Sequence, residues 1–537
     1  MRAYILAAPL CLVIACATGC GGLPPAASLP KTASSAIDPA LPSRLERIFA
    51  PMAAAHHGDS GFRILAQGLD GLAVRIELID AAQRSLDVQS YIFRADESGS
   101  LVADALLRAA ARGVRIRVVL DDGETVPGDE RILSLAAAPN IEVRIFNPLT
   151  YRGHNKVLRA AELLFAKARV DYRMHNKLMV ADNNVALIGG RNIGNQYFQI
   201  DRTSQFGDDD VIVVGPTVPK LAAIFDKFWA DRLTVPAQAV DARHASASAL
   251  AAYRPVLEGH RLAFLTGQAA DLTGQTAEDP HRRTPLADVI QGRASLTWAQ
   301  ARIVYDSPDK KDVANGGMAG HLIYKAVEAE AAAVSSELLV ITPFLVPSAD
   351  ERAVLAADRA RNVRVRILTN SLKACPTLAA QAGYMRHRPE LLQEGIELYE
   401  VRALLGSGRG SGQSKAISRH GNYALHAKLF VFDRKSLFVG SMNLDERSKH
   451  INTEIGLLIL SPPLAGEIAA RFDELTRPDN SYAVNLGEQH GGRTPRSLTW
   501  TTQEAGTVVH YRTEPARSPW QKFKVNLLRA LPIDKEL

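Results

Sequence analysis

Residues 175–192, HNKLMVADNNVALIGGRN, and residues 426–443, HAKLFVFDRKSLFVGSMN, are two versions of one short text. Each begins His-x-Lys, enters an apolar run, meets Asp, returns through a second apolar run and closes on Gly-[Gly/Ser]-x-Asn. Side chains alternate along a strand, so His175 and Lys177 face one side, as do His426 and Lys428. Asp182-Asn183-Asn184 and Asp433-Arg434-Lys435 read as turns, and the returning strands end at Gly189-Gly190 and Gly440-Ser441. Each segment is thus a strand, a turn and a strand with an imidazole and an ammonium group on one face.

The duplication continues into the flanking sequence. Residues 85–93, SLDVQSYIF, read as a buried strand after an amphipathic helix near 74–84, and residues 337–344, ELLVITPF, read the same way. Residues 112–120, RGVRIRVVL, match 361–368, RNVRVRIL, each a strand with alternating arginines; 141–146, IEVRIF, match 396–401, IELYEV. Val88 and Val340, Val114 and Val363, and His175 and His426 are 252, 249 and 251 residues apart, a near-constant offset that marks an internal repeat. Strands alternating with helices predict an α/β fold with helix-covered sheets.

The chain has 537 residues with 47% apolar and 6% aromatic content, enough for two domain-sized cores and unlike a multi-span membrane protein. A net charge of +6 favours anionic partners, membrane phosphates or nucleic acid, without choosing between them. Arg2, an uncharged run over 3–17 and small residues beyond it predict an export signal. The run is short, holds Pro9 and leads into Gly21, Gly22, Pro24 and Pro25, which fits a spanning helix poorly. Ala17-Thr18-Gly19-Cys20 resembles a bacterial lipoprotein processing box, and Val13-Ile14-Ala15-Cys16 competes with it. Cys20 is preferred as the lipidated residue because a Gly/Pro/Ala/Ser tether follows it; plain secretion is the alternative. Only Cys375 then remains, so no intrachain disulfide is expected.

The expected organisation is a signal peptide over 1–19, a tether over 20–40, a first half over 41–235, a connector with short helices over 236–299 and a second half over 300–480. A C-terminal extension over 481–537 is expected to pack back through Trp500, Trp520 and Leu531, and the Gly/Ser-rich 406–417 reads as a loop ahead of the second motif.

Both segments match the H-x-K-x4-D-x6-G-[GS]-x-N signature of the phospholipase D superfamily, and most of residues 60–230 and 300–537 resembles its bacterial cardiolipin synthase branch. That likeness includes 380–402, AQAGYMRHRPELLQEGIELYEVR, and the closing LPIDKEL. It implies two phospholipase D-like α/β/α sandwich halves, a pseudo-twofold single-chain dimer with its active site at their interface. His154-Asn155-Lys156 also spells H-x-K, but Ala161 stands where Asp is needed, so it reads as a basic loop.

The chemistry accounts for the residue types. A phosphodiester is anionic and resists attack, so a site needs fixed positive charge, a nucleophile and an acid for the leaving alkoxide. Lys177 and Lys428 supply charge, and Asn192, Ser441 and Asn443 are candidate phosphate-binding donors. Imidazole, with an ordinary pKa of about 6.5, suits both remaining roles near neutrality. In the family one histidine forms a phosphohistidine and the other protonates the departing alcohol; His175 is assigned as nucleophile and His426 as acid/base, although the repeat makes them near-equivalent. Asp182 and Asp433 complete the motif and are candidate catalytic residues, yet their place at turns reads as structural. The resemblance puts the carboxylate that orients each imidazole on the following strand, at Asp210 and Glu454, with Asp208 and Asp209 leaving the first position ambiguous.

No metal or cofactor is required by this scheme, because lysines neutralise the phosphate. The implied reaction is phosphatidyl transfer to a lipid hydroxyl, commonly from phosphatidylglycerol; alternatives are a phospholipase D hydrolase releasing phosphatidic acid, an exported nuclease and a non-catalytic phospholipid-binding lipoprotein. Expected partners are phospholipid substrates and a membrane surface reached through the N-terminal lipid anchor, with Arg152, Lys156, Arg159, Lys167, Arg169 and Arg173 favouring anionic headgroups. The expected location is the bacterial cell envelope, facing the periplasm.

Overall fold

In the first half the apolar runs form β1 (Ser60–Leu65), β2 (Ser85–Ser90), β3 (Arg115–Asp121), β4 (Ile141–Phe146), β5 (Leu178–Ala181), β6 (Val185–Gly189), β7 (Ser204–Gly207), β8 (Asp210–Val214) and β9 (Thr234–Pro236). The second half supplies β10 (Thr297–Tyr305), β11 (Glu337–Ile341), β12 (Leu345–Val346), β13 (Arg364–Asn370), β14 (Glu397–Val401), β15 (Asn422–Leu425) and β16 (Leu429–Phe432). It continues through β17 (Ser436–Gly440), β18 (Leu444–Asp445), β19 (Ile455–Leu460), β20 (Ser481–Leu486), β21 (Leu498–Glu504) and β22 (Thr507–Tyr511). This computed structural model describes residues 31–151, 162, 167–266, 284–311, 322–405, 422–487 and 497–531. The signal peptide at 1–19, Cys16, Cys20, His154-Asn155-Lys156, the 406–417 loop and residues 532–537 lie outside them.

The sheet of the first half runs β1-β8-β6-β5-β2-β3-β4-β9. That of the second runs β10-β19-β17-β16-β11-β13-β14-β20, the same order strand for strand, with the hairpin β21–β22 added at its edge. Within each, the β2-β3-β4 and β11-β13-β14 triplets are parallel and the remaining pairings antiparallel. β1 pairs with β10 through Ser60–Ala299, Gly61–Trp298 and Phe62–Thr297, so the sheet is continuous from one half to the other. A parallel pairing of β7 with β15 crosses the boundary a second time.

Burial follows the same symmetry. Helices Gly68–Ala81 and Glu97–Ala111 cover the outer face of the first sheet. Helices Thr217–Ala230 and Pro462–Leu475 instead put Phe225, Phe228, Trp229, Ile468 and Phe472 into one core shared with Leu339, Leu429 and Val431, so neither half buries its inner face alone. Each buried leucine or phenylalanine contributes about 1.5–3 kcal/mol there. Two of the alternating arginines, Arg117 and Arg366, are part of this core. Arg117, 1% exposed, pairs with Asp87 at 2.7 Å and Asp226 at 2.8 Å and lies over Phe225 and Trp229. Arg366 repeats the device with Asp473 at 2.7 Å and Phe472. A guanidinium buried without such a partner is strongly destabilising.

Three expectations are corrected. The helix expected near 74–84 starts at Gly68, because Gly68 and Gly71, poor helix formers, are kept by packing: a Cβ at Gly68 would meet the Phe198 backbone at 2.6 Å. Within the connector, Ala237–Val240 and Pro285–Ile290 are short helices, but Ala247–Leu265 is a single 19-residue helix. It buries only Leu250, Tyr253 and Leu257, a stripe too sparse to register as strong periodicity. In the C-terminal extension Trp500 is buried and donates to Glu400 at 2.9 Å, whereas Trp520 and Leu531 are exposed. No helix among the described residues is long and apolar enough to cross a membrane.

Candidate active site

His175 and Lys177 sit on the extended segment that enters β5, and His426 and Lys428 on the one that enters β16. Each segment is held by the backbone of the opposite half. His175 N–H donates to Thr453 O and Thr453 N–H to Arg173 O, both at 2.9 Å; His426 N–H donates to Gly207 O at 2.7 Å and Ala427 N–H to the same oxygen at 3.0 Å. The residue following each of those clamps is a carboxylate. Glu454 and Asp208 are thereby delivered to the imidazole of the other half.

His175 Nδ1 lies 2.8 Å from Glu454 Oε2 and 3.1 Å from Oε1. His426 Nδ1 lies 2.5 Å from Asp208 Oδ2. A neutral ring that donates through Nδ1–H keeps the Nε2 lone pair free for a substrate. Aromatic side chains fix both rings: Tyr91 meets His175 edge-on at 4.9 Å, while Phe206 stacks on His426 at 5.3 Å and Tyr197 meets it edge-on at 5.1 Å. Lys177 donates to the His175 carbonyl at 2.6 Å and lies over the Tyr91 ring. Lys428 donates to the His426 carbonyl, and its Nζ is 3.3 Å from His426 Nε2. Both histidines, both lysines and both carboxylates are buried.

The sequence-derived carboxylate Asp210 is not at an imidazole. It pairs with Arg75 at 2.7 Å and Arg191 at 3.3 Å, and Asp209 pairs with Arg471 of the other half. The reason is register: Gly189 pairs with Asp210 and Gly440 with Gly456, which places Asp208, two residues earlier, opposite Glu454. Gly190 follows from this. A Cβ there would meet Asp208 Oδ1 at 2.2 Å, so the space that Ser441 fills in the second half belongs to the Asp208 side chain in the first.

The motif carboxylates Asp182 and Asp433 are likewise away from the imidazoles. Asp182 accepts from the N–H groups of Gln83, Arg84 and Ser85, and Asp433 from those of Ser335, Ser336 and Glu337, so each caps the start of a neighbouring strand, β2 or β11. Their turns need φ values of 50° and 54° at Asp182-Asn183 and of 52° and 54° at Asp433-Arg434. Asn192 accepts from Ile92 N–H at 3.1 Å and bonds Tyr197, so it fixes the loop after β2. Ser441 donates to Glu454 Oε2 at 2.5 Å and accepts from Ile455 N–H, which makes it a support for the carboxylate. Asn443 Oδ1 is buried without a hydrogen-bond partner among the described residues.

Of the basic residues assigned to headgroups, Arg169 pairs with Glu162, and Arg173 is buried against Asp121 and backbone carbonyls; a buried, paired guanidinium is no surface for lipid. Arg152, Lys156, Arg159 and the Lys167 side chain lie outside the described residues.

Charge in the site is unevenly compensated. Burial, reinforced by Lys177 and Lys428, holds the His175 imidazole well below its ordinary range. Burial and Lys428 bring His426 down to about 3, against the opposing pull of Asp208. Both rings are therefore neutral, because two buried ammonium groups disfavour a third cation. Burial also lowers Lys177 strongly and brings Lys428 down to about 8. The carboxylates differ: burial pushes Glu454 up to about 7, while His426 and Lys428 hold Asp208 below the usual carboxylate range. An arriving phosphodiester anion supplies the missing negative charge and favours protonation of the ring backed by ionised Asp208.

Sequence reasoning passed over Asp306 and Lys310, a fully buried pair 2.7 Å apart behind Glu454, whose N–H donates to Asp306. It also passed over Ser448, which donates to Glu454 at 2.9 Å. Neither belongs to a recurring spacing, so only the fold reveals them. Among the described residues no group of three or more His, Cys, Asp or Glu side chains is placed to hold a metal ion.

The family described as cardiolipin synthase, PLD-like domain, matches residues 75–229 and 329–476, once in each half. Cardiolipin synthase C of Escherichia coli (strain K12) is 33% identical over 496 residues, which cover 91% of this chain and 99% of that protein. A cardiolipin synthase of Geobacillus thermodenitrificans is 22% identical over 399 residues, 74% of this chain and 62% of that protein. Among solved structures, the phosphatidylserine synthase of Haemophilus influenzae Rd KW20 shares the fold with a TM-score of 0.52 at 14% identity, over 79% of this chain and 87% of that one. The chain belongs to the cardiolipin synthase, PLD-like family and is a phosphatidyltransferase of the phospholipase D superfamily.

Proposed function

We propose that this family member makes cardiolipin by moving a phosphatidyl group from one phospholipid to a hydroxyl of another, phosphatidylglycerol serving as donor and acceptor. The observation that carries the reading is the pair of imidazoles, each bonded to a carboxylate of the opposite half and flanked by the lysines. His175 Nε2 attacks phosphorus and forms a P–N bond, while His426 gives its proton to the departing glycerol oxygen as the P–O bond breaks. His426 then takes the proton of the acceptor hydroxyl, whose oxygen attacks phosphorus and expels the His175 imidazole. Two phosphatidylglycerols become one diphosphatidylglycerol and one glycerol, and no charge or proton is left over.

The division of roles rests on the unequal carboxylates. Asp208 is ionised and best able to support a protonated ring, which suits His426 as acid; Glu454, raised to about 7, leaves His175 neutral and nucleophilic. Lys177 and Lys428 neutralise the non-bridging oxygens, with Asn443 at hand as a further polar group. Acylation at Cys20 would hold the chain on the periplasmic side of the envelope, next to its lipids.

Lipid analysis of purified protein given mixed phospholipids tests the reading. Wild type is expected to yield a diphosphatidyl species, lost in His175→Ala and in His426→Ala. Phosphatidic acid alone would make the chain a hydrolase, cleaved DNA a nuclease, and no product in wild type a binding protein.

A further inference from the structure

The last described helix, Pro519–Arg529, has two apolar faces, and only one of them is used. Val525 is fully buried and with Leu528 packs on Leu372, Ala382 and Met385. On the other side Trp520, Phe523 and Leu527 recur at helical spacing, and Leu531 extends the stripe just past the helix end. They remain 60%, 56%, 58% and 46% exposed. Trp520 and Phe523 stack on each other at 5.1 Å, and Lys524 lies over the Trp520 ring. Large apolar side chains grouped this way on a surface cost solubility and mark a contact.

Charge and position identify the contact. From Pro515 to Leu531 the sequence holds Arg517, Lys522, Lys524 and Arg529 and no acidic residue. A net-basic helix with an exposed aromatic and leucine stripe and Lys524 beside it suits the interface of an anionic bilayer, where rings enter the acyl boundary and the ammonium group meets phosphates. The helix is also tied to the catalytic end of the sheet. Gln521 donates to Leu372 O at 2.8 Å and Arg517 to Lys373 O at 2.6 Å, on the loop that leaves β13 at Asn370. Asn370 in turn clamps Leu425 with bonds of 2.9 Å and 2.8 Å, and the next residue is His426. Exposed Leu404 and Val126 follow the C-terminal ends of β14 and β3 at this same end of the fold.

We infer that the Trp520, Phe523, Leu527 and Leu531 face is a membrane-docking surface for an anionic phospholipid bilayer, which presents the catalytic end to the lipid independently of any N-terminal acyl group. The contact needs no turnover, so it stands or falls separately from the reaction proposed above.

Tryptophan quenching tests it locally, whatever else holds the chain to the vesicle. The full chain is mixed with vesicles of brominated phosphatidylglycerol and phosphatidylcholine in equal parts. Wild type is expected to lose emission that Trp520→Phe does not contain, and to lose several-fold less on phosphatidylcholine alone. The triple variant Trp520→Ser, Phe523→Ser, Leu527→Ser is expected to keep its melting temperature and to partition about tenfold more weakly. Equal quenching in wild type and Trp520→Phe overturns the inference, as does quenching undiminished on phosphatidylcholine. So does a triple variant that passes from dimer to monomer with vesicle binding intact, because the face would then join two copies of the chain.

Discussion

Asp208 and His426 lie 218 positions apart and in different halves, yet their side chains are 2.5 Å apart. Glu454 and His175 mirror them at 2.8 Å, so each half holds the orienting group for the other half's imidazole. The site is complete only when both halves are in place, and the shared core and the β1–β10 pairing keep them there.

The neighbouring aspartates are therefore expected to separate by effect. Asp208→Asn removes the negative charge behind His426 and puts an NH2 donor where one carboxylate oxygen stood. That favours the wrong tautomer and should lower kcat by about two to four orders of magnitude with little change in melting temperature. Asp210→Asn removes the negative charge shared by Arg75 and Arg191 and should cost about 3–5 kcal/mol of stability. Steady-state kinetics beside denaturant titration distinguishes them. Full turnover in Asp208→Asn contradicts the assignment.

Asp182 is expected to matter for folding and not for chemistry. Asp182→Ala leaves three strand-initiating N–H groups, those of Gln83, Arg84 and Ser85, without their acceptor, at about 1–3 kcal/mol for each that water cannot reach. Turnover per folded molecule should stay within about threefold of wild type. A large fall in kcat of a fully folded variant would restore a catalytic part to this aspartate.

Glu454 should leave a signature in stability against pH. Its folded pKa of about 7 is above the ordinary 4.5, so the folded state holds a proton that the unfolded state has lost. The stabilisation is complete below about 4.5 and is lost as pH rises through about 7. His426 acts in the opposite sense: its value of about 3 lies below the ordinary 6.5, and the stability it contributes is lost as pH falls between them. Comparison with Glu454→Gln isolates the carboxylate. Melting temperatures at about pH 5 and about pH 8 should differ in the variant by less of a decline than in wild type. Identical profiles would contradict the raised value.

Lys428, brought down to about 8 by burial, should make phosphodiester binding weaken as pH rises through that value. A soluble diester such as glycerophosphoglycerol keeps one negative charge throughout, so calorimetric affinity reads the protein's charge alone. A several-fold loss across that range in wild type, absent in Lys428→Met, is the expected outcome. An affinity independent of pH would place the diester elsewhere.

Much of this was legible in the residues. The repeated H-x-K text gave both imidazoles and both ammonium groups, and the matched apolar runs marked two α/β halves built alike. The orienting aspartate was not, because Asp208 and Asp210 alternate onto the same side and the offset between the histidines, 251, is not the offset between the following strands. Aligning VIVV at 211–214 with LLIL at 457–460 gives 246 and puts Asp208 opposite Glu454. The exchange of carboxylates between halves leaves no local trace, since each motif reads as self-contained. Trp520 and Leu531 read as packing residues in the sequence because spacing alone does not say which of two apolar faces meets the core.

The direct test of two histidines serving one phosphorus is a burst experiment with phosphatidyl-p-nitrophenol, whose leaving group departs without a proton. His426→Ala should release one equivalent of nitrophenolate and stop, with the phosphatidyl group found on His175 by mass spectrometry, while His175→Ala releases none. Continuous turnover by His426→Ala, or an adduct on any residue other than His175, would contradict the account.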